Sequence, residues 1–167
     1  MPRLDEAYRL ARWLTGSASD AEDVVQEACI KAYRAIENFA EGNARAWFLT
    51  IVRNAAYSWL QRHRPTKLVS IEDISLDAQH EIEAGSVLVG AMPTPEDLLL
   101  AKQQSIALVN AVETLPLHLR ETLVLREFHG LSYREIAAIS NVPTGTVMSR
   151  LAKARQVLLS RLKETEH

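Results

Sequence analysis

The segment from Tyr133 to Lys153 combines small polar and basic residues in an order that suits contact with DNA. Its second half opens with Pro143-Thr144-Gly145-Thr146, so short hydroxyl side chains and free backbone N–H groups collect at one helix N-terminus, where phosphate binds readily. From Asn141 to Lys163 the charged residues are all basic: Arg150, Lys153, Arg155, Arg161 and Lys163. A basic helix without acids is typical of a nucleic-acid partner.

The turn inside this segment has the residue types of a helix-turn-helix. Ala137 is small, where the first helix must meet the second, and Asn141 follows four residues later, where the turn needs a positive φ that asparagine tolerates. Val147 falls where an apolar residue must hold the second helix on the core. We predict a helix-turn-helix whose second helix enters the major groove with its N-terminal end. The alternative is a solvated bundle helix that happens to lack acids.

An acidic segment lies near the start of the chain. Asp20, Glu22, Asp23 and Glu27 precede the first basic residue of their helix, Lys31. Acids stabilise a helix N-terminus through its dipole, which is one explanation of the pattern. Glu27 lies too far along the helix for that explanation, so a docking face for a basic partner is the second.

The next helix has the opposite charge. From Asn43 to Arg64 there are four basic residues and no acid, interleaved with four aromatic residues. Basic residues mixed with aromatic rings suit single-stranded or melted nucleic acid, whose bases stack on the rings. We expect Trp47 and Phe48 to be mainly core residues, and Tyr57, among polar neighbours, to contact nucleic acid.

Hydrophobic periodicity and helix-end signals predict an all-α chain of two small helical domains. Ser19 or Asp20 is the expected N-cap of the second helix. Its apolar stripe runs from Val25 through Tyr33 to Ile36. Ser132-x-x-Glu135 forms a capping box, and Gly130 is an expected left-handed helix end. The predicted helices cover about 4–14, 20–36, 44–63, 95–113, 117–128 and 144–163, with a short helix around Ile136, Ala137 and Ile139 before a turn at 140–142.

The residues between the third and fourth helices lack periodicity and are strongly acidic. From 65 to 98 there is one lysine against seven acids, a net charge of −6. We predict domains at 1–64 and 96–167, joined by a flexible acidic linker at 65–95. A loop packed on the surface of one domain is the alternative.

Whole-chain composition conceals these patterns. The 167 residues include 19 Lys and Arg against 21 Asp and Glu, a net charge of −2 that by itself argues against a nucleic-acid partner. The first 64 residues carry +1 and residues 99–167 carry +3, so the distribution of charge supports such a partner where the total does not.

The composition also excludes several function classes. One cysteine excludes a disulfide framework, and the five histidines do not lie near cysteine or acids at metal-ligand spacing, so no metal site is predicted. No phosphate-binding glycine loop or nucleophile motif is present, so no catalytic residue or cofactor is predicted. No signal peptide and no stretch of about 20 apolar residues occurs, so we expect a soluble, cytoplasmic protein without a membrane span.

Together the motifs resemble those of the extracytoplasmic-function (ECF) sigma factors, small two-domain bacterial transcription initiation factors of the sigma-70 family. The resemblance covers about 4–64 and 95–163 and is closest to the envelope-stress (RpoE-like) subgroup. It is carried by DAEDVVQE at 20–27, WFLTIVRN at 47–54, GLSYREIA at 130–137 and GTVMSR at 145–150.

The resemblance implies three sets of contact residues. Those that would dock on the clamp-helix coiled coil of the polymerase β′ subunit are Asp20, Glu22, Asp23, Gln26 and Glu27. Those that would contact the melted −10 element, including a flipped base held by the loop 39–43, are Phe39, Asn43, Arg53, Asn54 and Tyr57. Those that would recognise the −35 element in duplex DNA are Thr144, Thr146, Ser149, Arg150 and Lys153, with Arg150 placed for a bidentate guanine contact.

The implied partners are core RNA polymerase, through the β′ clamp helices and the β flap, promoter DNA, and an anti-sigma factor that covers the polymerase- and DNA-binding faces. The alternative function is an autonomous helix-turn-helix regulator that binds duplex DNA without polymerase. Such a regulator has no use for an acidic helix at 20–27 beside a basic, aromatic helix at 44–63, which favours the sigma factor.

Overall fold

A computed structural model describes residues 2–39, 41–65 and 94–165. These residues form helices and no strand, which confirms the predicted all-α class. The N-terminal helices are α1 (Pro2–Thr15), α2 (Ala18–Ala35), a short 3₁₀-helix (Ile36–Asn38) and α3 (Ala44–His63). The C-terminal helices are α4 (Pro95–Glu113), α5 (Leu117–Glu127), α6 (Tyr133–Ser140) and α7 (Thr144–Thr165). The predicted linker, 65–95, lies outside the described residues except at its ends.

The N-terminal domain consists of α1, α2 and α3 packed against one another around fully buried aliphatic side chains. Leu10 and Leu14 of α1 and Leu49, Val52 and Leu60 of α3 recur at helical spacing, so each helix buries one apolar stripe.

The start and the buried face of α2 differ from the prediction. Ser17 is the N-cap, because its Oγ accepts a hydrogen bond from the Asp20 backbone N–H at 3.3 Å, so the prediction of Ser19 or Asp20 is wrong. Ala21, Val24 and Ala28 are buried, whereas Tyr33 is 82% exposed and Ile36 is 57% exposed. The last five residues of α2 have no fully buried side chain, so Tyr33 lies on the surface instead of in the core.

In the C-terminal domain, α5 packs between α6 and α7, and α4 lies against α7. Helix α5 is the most buried, because its residues face its own domain on one side and the N-terminal domain on the other. Glu121 is fully buried among leucines of α5, where a carboxylate requires a polar partner.

The two domains are in direct contact through α1 on α5 and α3 on α6. Trp13 and Phe128 stack across this boundary with ring centroids 5.2 Å apart. Arg120 donates from Nη2 to the Leu14 carbonyl oxygen at 3.3 Å, and Arg45 donates to the His129 carbonyl oxygen. The described helices therefore share one continuous core.

Candidate nucleic-acid interface

The helix-turn-helix has the predicted local geometry. The Ser132 Oγ accepts from the Glu135 backbone N–H at 3.2 Å, and Glu135 Oε1 accepts from the Ser132 N–H at 3.1 Å, which confirms the capping box. Asn141 has φ 55° and ψ 49°, the left-handed conformation that lets the chain reverse between α6 and α7. These contacts fix the direction of α7 relative to α6.

The start of α7 presents polar side chains outward, because Val147, Leu151 and Ala154 bury the opposite side of the helix. Thr144 and Ser149 are exposed, and the Ser149 Oγ donates to the Gly145 carbonyl oxygen at 3.0 Å. We call the predicted DNA-contact residues of this helix the α7 face; they are Thr144, Thr146, Ser149, Arg150 and Lys153.

The basic residues of the α7 face are partly buried, because this end of α7 lies against α5. The Nη1 atom of Arg150 is buried and donates to no acceptor among the described residues. Burial lowers the pKa of His118 on α5, and the nearby Arg150 charge lowers it further. The predicted guanine-contact side chain is therefore turned toward the domain boundary in this arrangement.

The predicted docking residues of α2 divide into an exposed group and a group of acids that form ion pairs. Glu22, Asp23 and Gln26 are exposed, and we call them the α2 face. Asp20 pairs with Arg64 at 3.4 Å, and Glu27 pairs with both Lys31 and Arg62 at 3.1 Å. Partial burial raises the pKa of Glu27, but the two bases outweigh it and hold the pKa below its usual value.

Three bulky apolar side chains continue the α2 face, and sequence analysis either missed them or placed them in the core. Ile30 and Ile36 are more than half exposed, and Tyr33 protrudes still further. Ile30 and Tyr33 lie one and two turns beyond Gln26 on the same side of α2. The alanines of this helix could have indicated this exposure. A stripe of small residues marks the side of a helix that packs closely, so the bulky residues on the other side are exposed.

The loop before α3 joins an aromatic pair to a helix cap. The Phe39 and Trp47 rings lie 5.0 Å apart at 38°. Asn43 is the N-cap of α3, with its Oδ1 accepting from the Ala46 N–H at 3.1 Å. Its Nδ2 donates to Glu135 Oε2 of α6 at 2.7 Å, so the side chain links the two domains.

The polar side of α3 meets α5 at Glu121. Arg53 Nε donates to Glu121 Oε1 at 2.6 Å, and the Tyr57 hydroxyl donates to Glu121 Oε2 at 2.7 Å. The Arg53 guanidinium also lies 3.9 Å from the Tyr57 ring centroid, and its Nη1 donates to Asn54 Oδ1 at 3.2 Å. Burial raises the pKa of Tyr57, and the Glu121 carboxylate raises it further.

We call Asn43, Arg53, Asn54 and Tyr57 the α3 face. The structure brings the last three together, but α5 covers Arg53 and Tyr57, and only Asn54 of this trio is exposed. Sequence analysis missed Glu121, the residue that covers them. A signal existed, since an acid inside the apolar run of α5 requires a basic or hydroxyl partner, and the acid-free helix α3 offers several.

Two family models match the chain over both domains. Residues 2–66 match Sigma-70 region 2, and residues 105–158 match Sigma-70, region 4. The chain is also 39% identical over 144 residues to the ECF RNA polymerase sigma-E factor of Escherichia coli (strain K12), which covers 84% of this chain and 73% of that relative. The chain belongs to the ECF sigma factors. The corresponding sigma-E factor of Haemophilus influenzae is 36% identical over 150 residues, with 88% and 77% covered.

Solved structures agree on the fold of this sigma factor. The sigma factor RpoE from Bartonella quintana, in complex with the anti-sigma factor NepR, superposes with a TM-score of 0.67 at 26% identity, over 96% of this chain and 92% of that one. CnrH, in complex with the cytosolic domain of CnrY, gives a TM-score of 0.62 at 22% identity, over 95% and 80%. The second likeness is one of fold alone.

Family membership establishes the activity. This sigma factor is a non-enzymatic transcription initiation factor that binds core RNA polymerase and directs it to promoters. The predicted family and function are confirmed, and the autonomous regulator is not favoured, because the region 2 match has no place in it. Within the described part of the chain, no helix has the length and apolar character needed to cross a membrane.

Proposed function

We propose that three surfaces divide the work of this sigma factor. The α2 face docks on the β′ clamp helices, the α3 face with Phe39 contacts the melted −10 strand, and the α7 face recognises the −35 element in duplex DNA. The domains that carry these surfaces extend over 1–64 and 96–167, with residues 65–95 as the linker between them. The C-terminal domain also provides the contact with the β flap.

The observation that carries this proposal is the geometry of the turn before α7. The left-handed Asn141 and the buried Val147 fix α7 on its domain so that Thr144 and Gly145 of its first turn are exposed. A major groove accepts such a helix end, with backbone N–H groups and the hydroxyl of Thr144 toward phosphate and longer side chains toward base edges.

The chemistry of the other two surfaces supports their roles. On α2, exposed acids next to exposed apolar residues suit a basic helical partner, because charge steers the encounter and apolar contact holds the complex. On α3, a guanidinium, a phenol and an amide, together with the Phe39–Trp47 pair near the start of the helix, suit a single strand, through phosphate neutralisation and base stacking.

The polymerase assignment is tested by reversing one charge on the α2 face. Asp23→Lys should abolish binding to core RNA polymerase, because it places a base against the basic clamp helices, while circular dichroism shows unchanged helix content. The matched control is Asp5→Lys, which makes the same change at an exposed position of α1. Wild-type affinity of Asp23→Lys for core polymerase, measured by fluorescence anisotropy, would contradict the assignment.

Promoter-specific activity is tested by run-off transcription with and without core polymerase. A sigma factor yields a defined transcript only with core enzyme and binds duplex promoter weakly alone. Tight, specific duplex binding by the isolated chain, with no need for core enzyme, would instead favour the regulator.

We further propose that this sigma factor acts in the cytoplasm under the control of an anti-sigma factor. Support comes from the Bartonella structure, in which a sigma factor that superposes on both domains is bound to its anti-sigma factor. Affinity purification from the native host should recover polymerase subunits and one further protein. That protein, added in purified form, should suppress the run-off transcript, and failure to suppress it would exclude it as the regulator.

A further inference from the structure

One large apolar side chain, that of Met148, lies on the exposed side of α7. Val147, Leu151 and Ala154 are at most 2% exposed and form the buried side of this helix, whereas Met148 is 52% exposed. Among residues 144–153, all of which the structure describes, Met148 is the one large apolar residue that is exposed. The core of the domain therefore does not hold this side chain, and it is available to a ligand.

The place of Met148 along α7 makes its exposure informative. A helix that enters the major groove with its N-terminal end brings the residues of its first turns to the base edges. Met148 lies four residues, about one turn, after Thr144, with which α7 begins. Its exposed neighbours Gly145, Ser149 and Ala152 are all small, so Met148 is the longest exposed side chain between Thr144 and Ala152. It is therefore the exposed side chain best able to reach a base from this part of the helix.

The polar groups around Met148 offer few free donors. The Ser149 Oγ donates its single hydrogen to the Gly145 carbonyl oxygen at 3.0 Å and keeps only acceptor capacity. The side chain of Arg150 is partly buried, with its Nη1 atom away from solvent. Guanine presents two acceptors, N7 and O6, in the major groove and is recognised by donors. The strip formed by Met148, Ser149 and Ala152 does not match that edge.

Thymine matches this strip. Its C5-methyl group is the apolar group that a base pair presents in the major groove, and apolar side chains recognise it by contact. Cytosine, the other pyrimidine, presents an amino donor there and no methyl group. Methionine is unbranched and polarisable, so the Met148 side chain can adapt its shape to a methyl group at the groove floor.

We propose that Met148 is a specificity-determining residue of this sigma factor, which selects thymine at one position of the −35 element by contact with the thymine methyl group. The small Ser149 and Ala152 side chains leave the thioether room to reach it. The inference rests on the proposed role of the α7 face, and it adds a base that this face recognises and the residue that recognises it.

Selection of promoters by the holoenzyme tests the proposal. Core polymerase with the parent chain is incubated with a duplex library randomised over the promoter region, and the bound DNA is sequenced. Thymine should be enriched at one −35 position. Met148→Gln keeps the side-chain length but replaces the thioether with an amide, which pairs with adenine, so the enrichment at that position should move from thymine to adenine.

The matched control is Leu159→Gln, which makes the same kind of change at an apolar residue that is 42% exposed on α7. It lies about three turns further along the helix, beyond the N-terminal turns, and should select the same thymine as the parent. Met148→Leu keeps an apolar side chain and should also select thymine. Unchanged thymine enrichment in Met148→Gln would overturn the proposal.

Deletion of the methyl group from the DNA tests the contact itself. Each thymine of the selected −35 element is replaced in turn by uracil, which differs only in lacking the methyl group, and holoenzyme binding is measured by fluorescence anisotropy. For the parent, uracil at one position should weaken binding about fourfold, the effect of losing one buried methyl group. Met148→Ala lacks the contact, so uracil at that position should leave its affinity unchanged. Equal losses in the two proteins would overturn the proposal.

A lysine variant separates this proposal from the assignment of the α7 face. If uracil has no effect at any position but Lys153→Ala still weakens binding to the −35 element, the α7 face contacts DNA and the role of Met148 is refuted. If neither uracil nor Lys153→Ala changes binding and Met148→Gln selects the parent sequence, the assignment of the α7 face fails as well.

Discussion

The α7 face and the α3 face carry similar hydrogen-bond donors, which we propose for nucleic-acid contact, but opposite kinds of contact position them. Local contacts fix the α7 face: the Asn141 turn, the capping box at Ser132 and the buried Val147 all lie within 18 residues of its centre. Contacts with a distant segment fix the α3 face, where Arg53 and Tyr57 are held by Glu121.

This difference separates two kinds of dependence on conformation. The first turn of α7 is presented whenever the C-terminal domain folds. On the α3 face, Arg53 and Tyr57 are held by Glu121 of the other domain. The position of Asn141 and Val147 is thus set within one folded domain, whereas the position of the Arg53 and Tyr57 side chains depends on how the two domains are arranged.

The largest effect is expected from a change to the local contacts that hold α7 in place. Val147→Asp places a charge in the core of the C-terminal domain and should lower its free energy of unfolding by at least about 3 kcal/mol, with loss of duplex binding. Met148→Asp is the matched control, because Met148 is 52% exposed, and it should change stability by less than about 0.5 kcal/mol. Equal losses in urea denaturation would show that Val147 does not anchor α7.

A smaller effect tests base recognition by the α7 face. Arg150→Ala should cost about 1–3 kcal/mol of holoenzyme binding and relax preference at one base pair of the −35 element. Lys163→Ala, at an exposed position of the same helix, should leave base preference unchanged. The measurement is competition binding across single-base promoter variants. A uniform loss across all variants would identify Arg150 as a phosphate contact instead.

Among the contacts between the two domains, the Trp13–Phe128 ring pair should contribute a modest free energy. Phe128→Ala removes the stacking on Trp13 and should weaken the contact between the domains by about 1 kcal/mol. The loss should appear as a longer distance between spin labels at the exposed positions Glu37 and Ser160 in a Cys29→Ser background. Tyr33→Ala, an aromatic truncation at an 82% exposed site, should leave the distribution alone. No shift in Phe128→Ala would show that the Trp13–Phe128 ring pair does not help to hold the domains together.

The smallest effect is a dependence on pH. Burial lowers the pKa of His129, which faces Glu6 and Arg9 of α1 and Arg45 of α3. Below pH about 6.5 the unfolded chain therefore binds a proton at His129 more readily than the folded chain does. The contribution of neutral His129 to the free energy of unfolding is fully present above that pH and is lost as pH drops. Thermal melts at pH 7.5 and 5.5 should show this loss, and His129→Gln should reduce it. Equal slopes in both proteins would exclude His129 as a source.

Sequence reasoning succeeded where short-range rules decide the structure. Asn141 has the predicted left-handed φ, Ser132 and Glu135 form the predicted box, and α3 and α4 have the predicted bounds. Each of these features depends on residues within one or two turns, whose types are visible in the sequence.

Sequence reasoning failed where tertiary contacts decide. Arg53 is bound to Glu121 of α5, and hydrophobic periodicity does not predict a contact between two residues so far apart along the chain. The N-cap of α2 moved to Ser17 because three serine or aspartate candidates lie within four residues and local preference does not separate them. Tyr33 was misplaced because helical spacing marks a face without stating how much of it a neighbour covers.

Arg120 and Glu121 are adjacent on α5, and both reach into the N-terminal domain, one to the Leu14 carbonyl oxygen and the other to Arg53. Alleles at this pair should therefore be pleiotropic. A selection for suppressors of a weakened −10 promoter should recover substitutions in α5, far along the gene from the codons of α3. Epistasis between substitutions at Arg53 and Glu121 would then show that the two residues act through the same contact, although their codons are far apart in the gene.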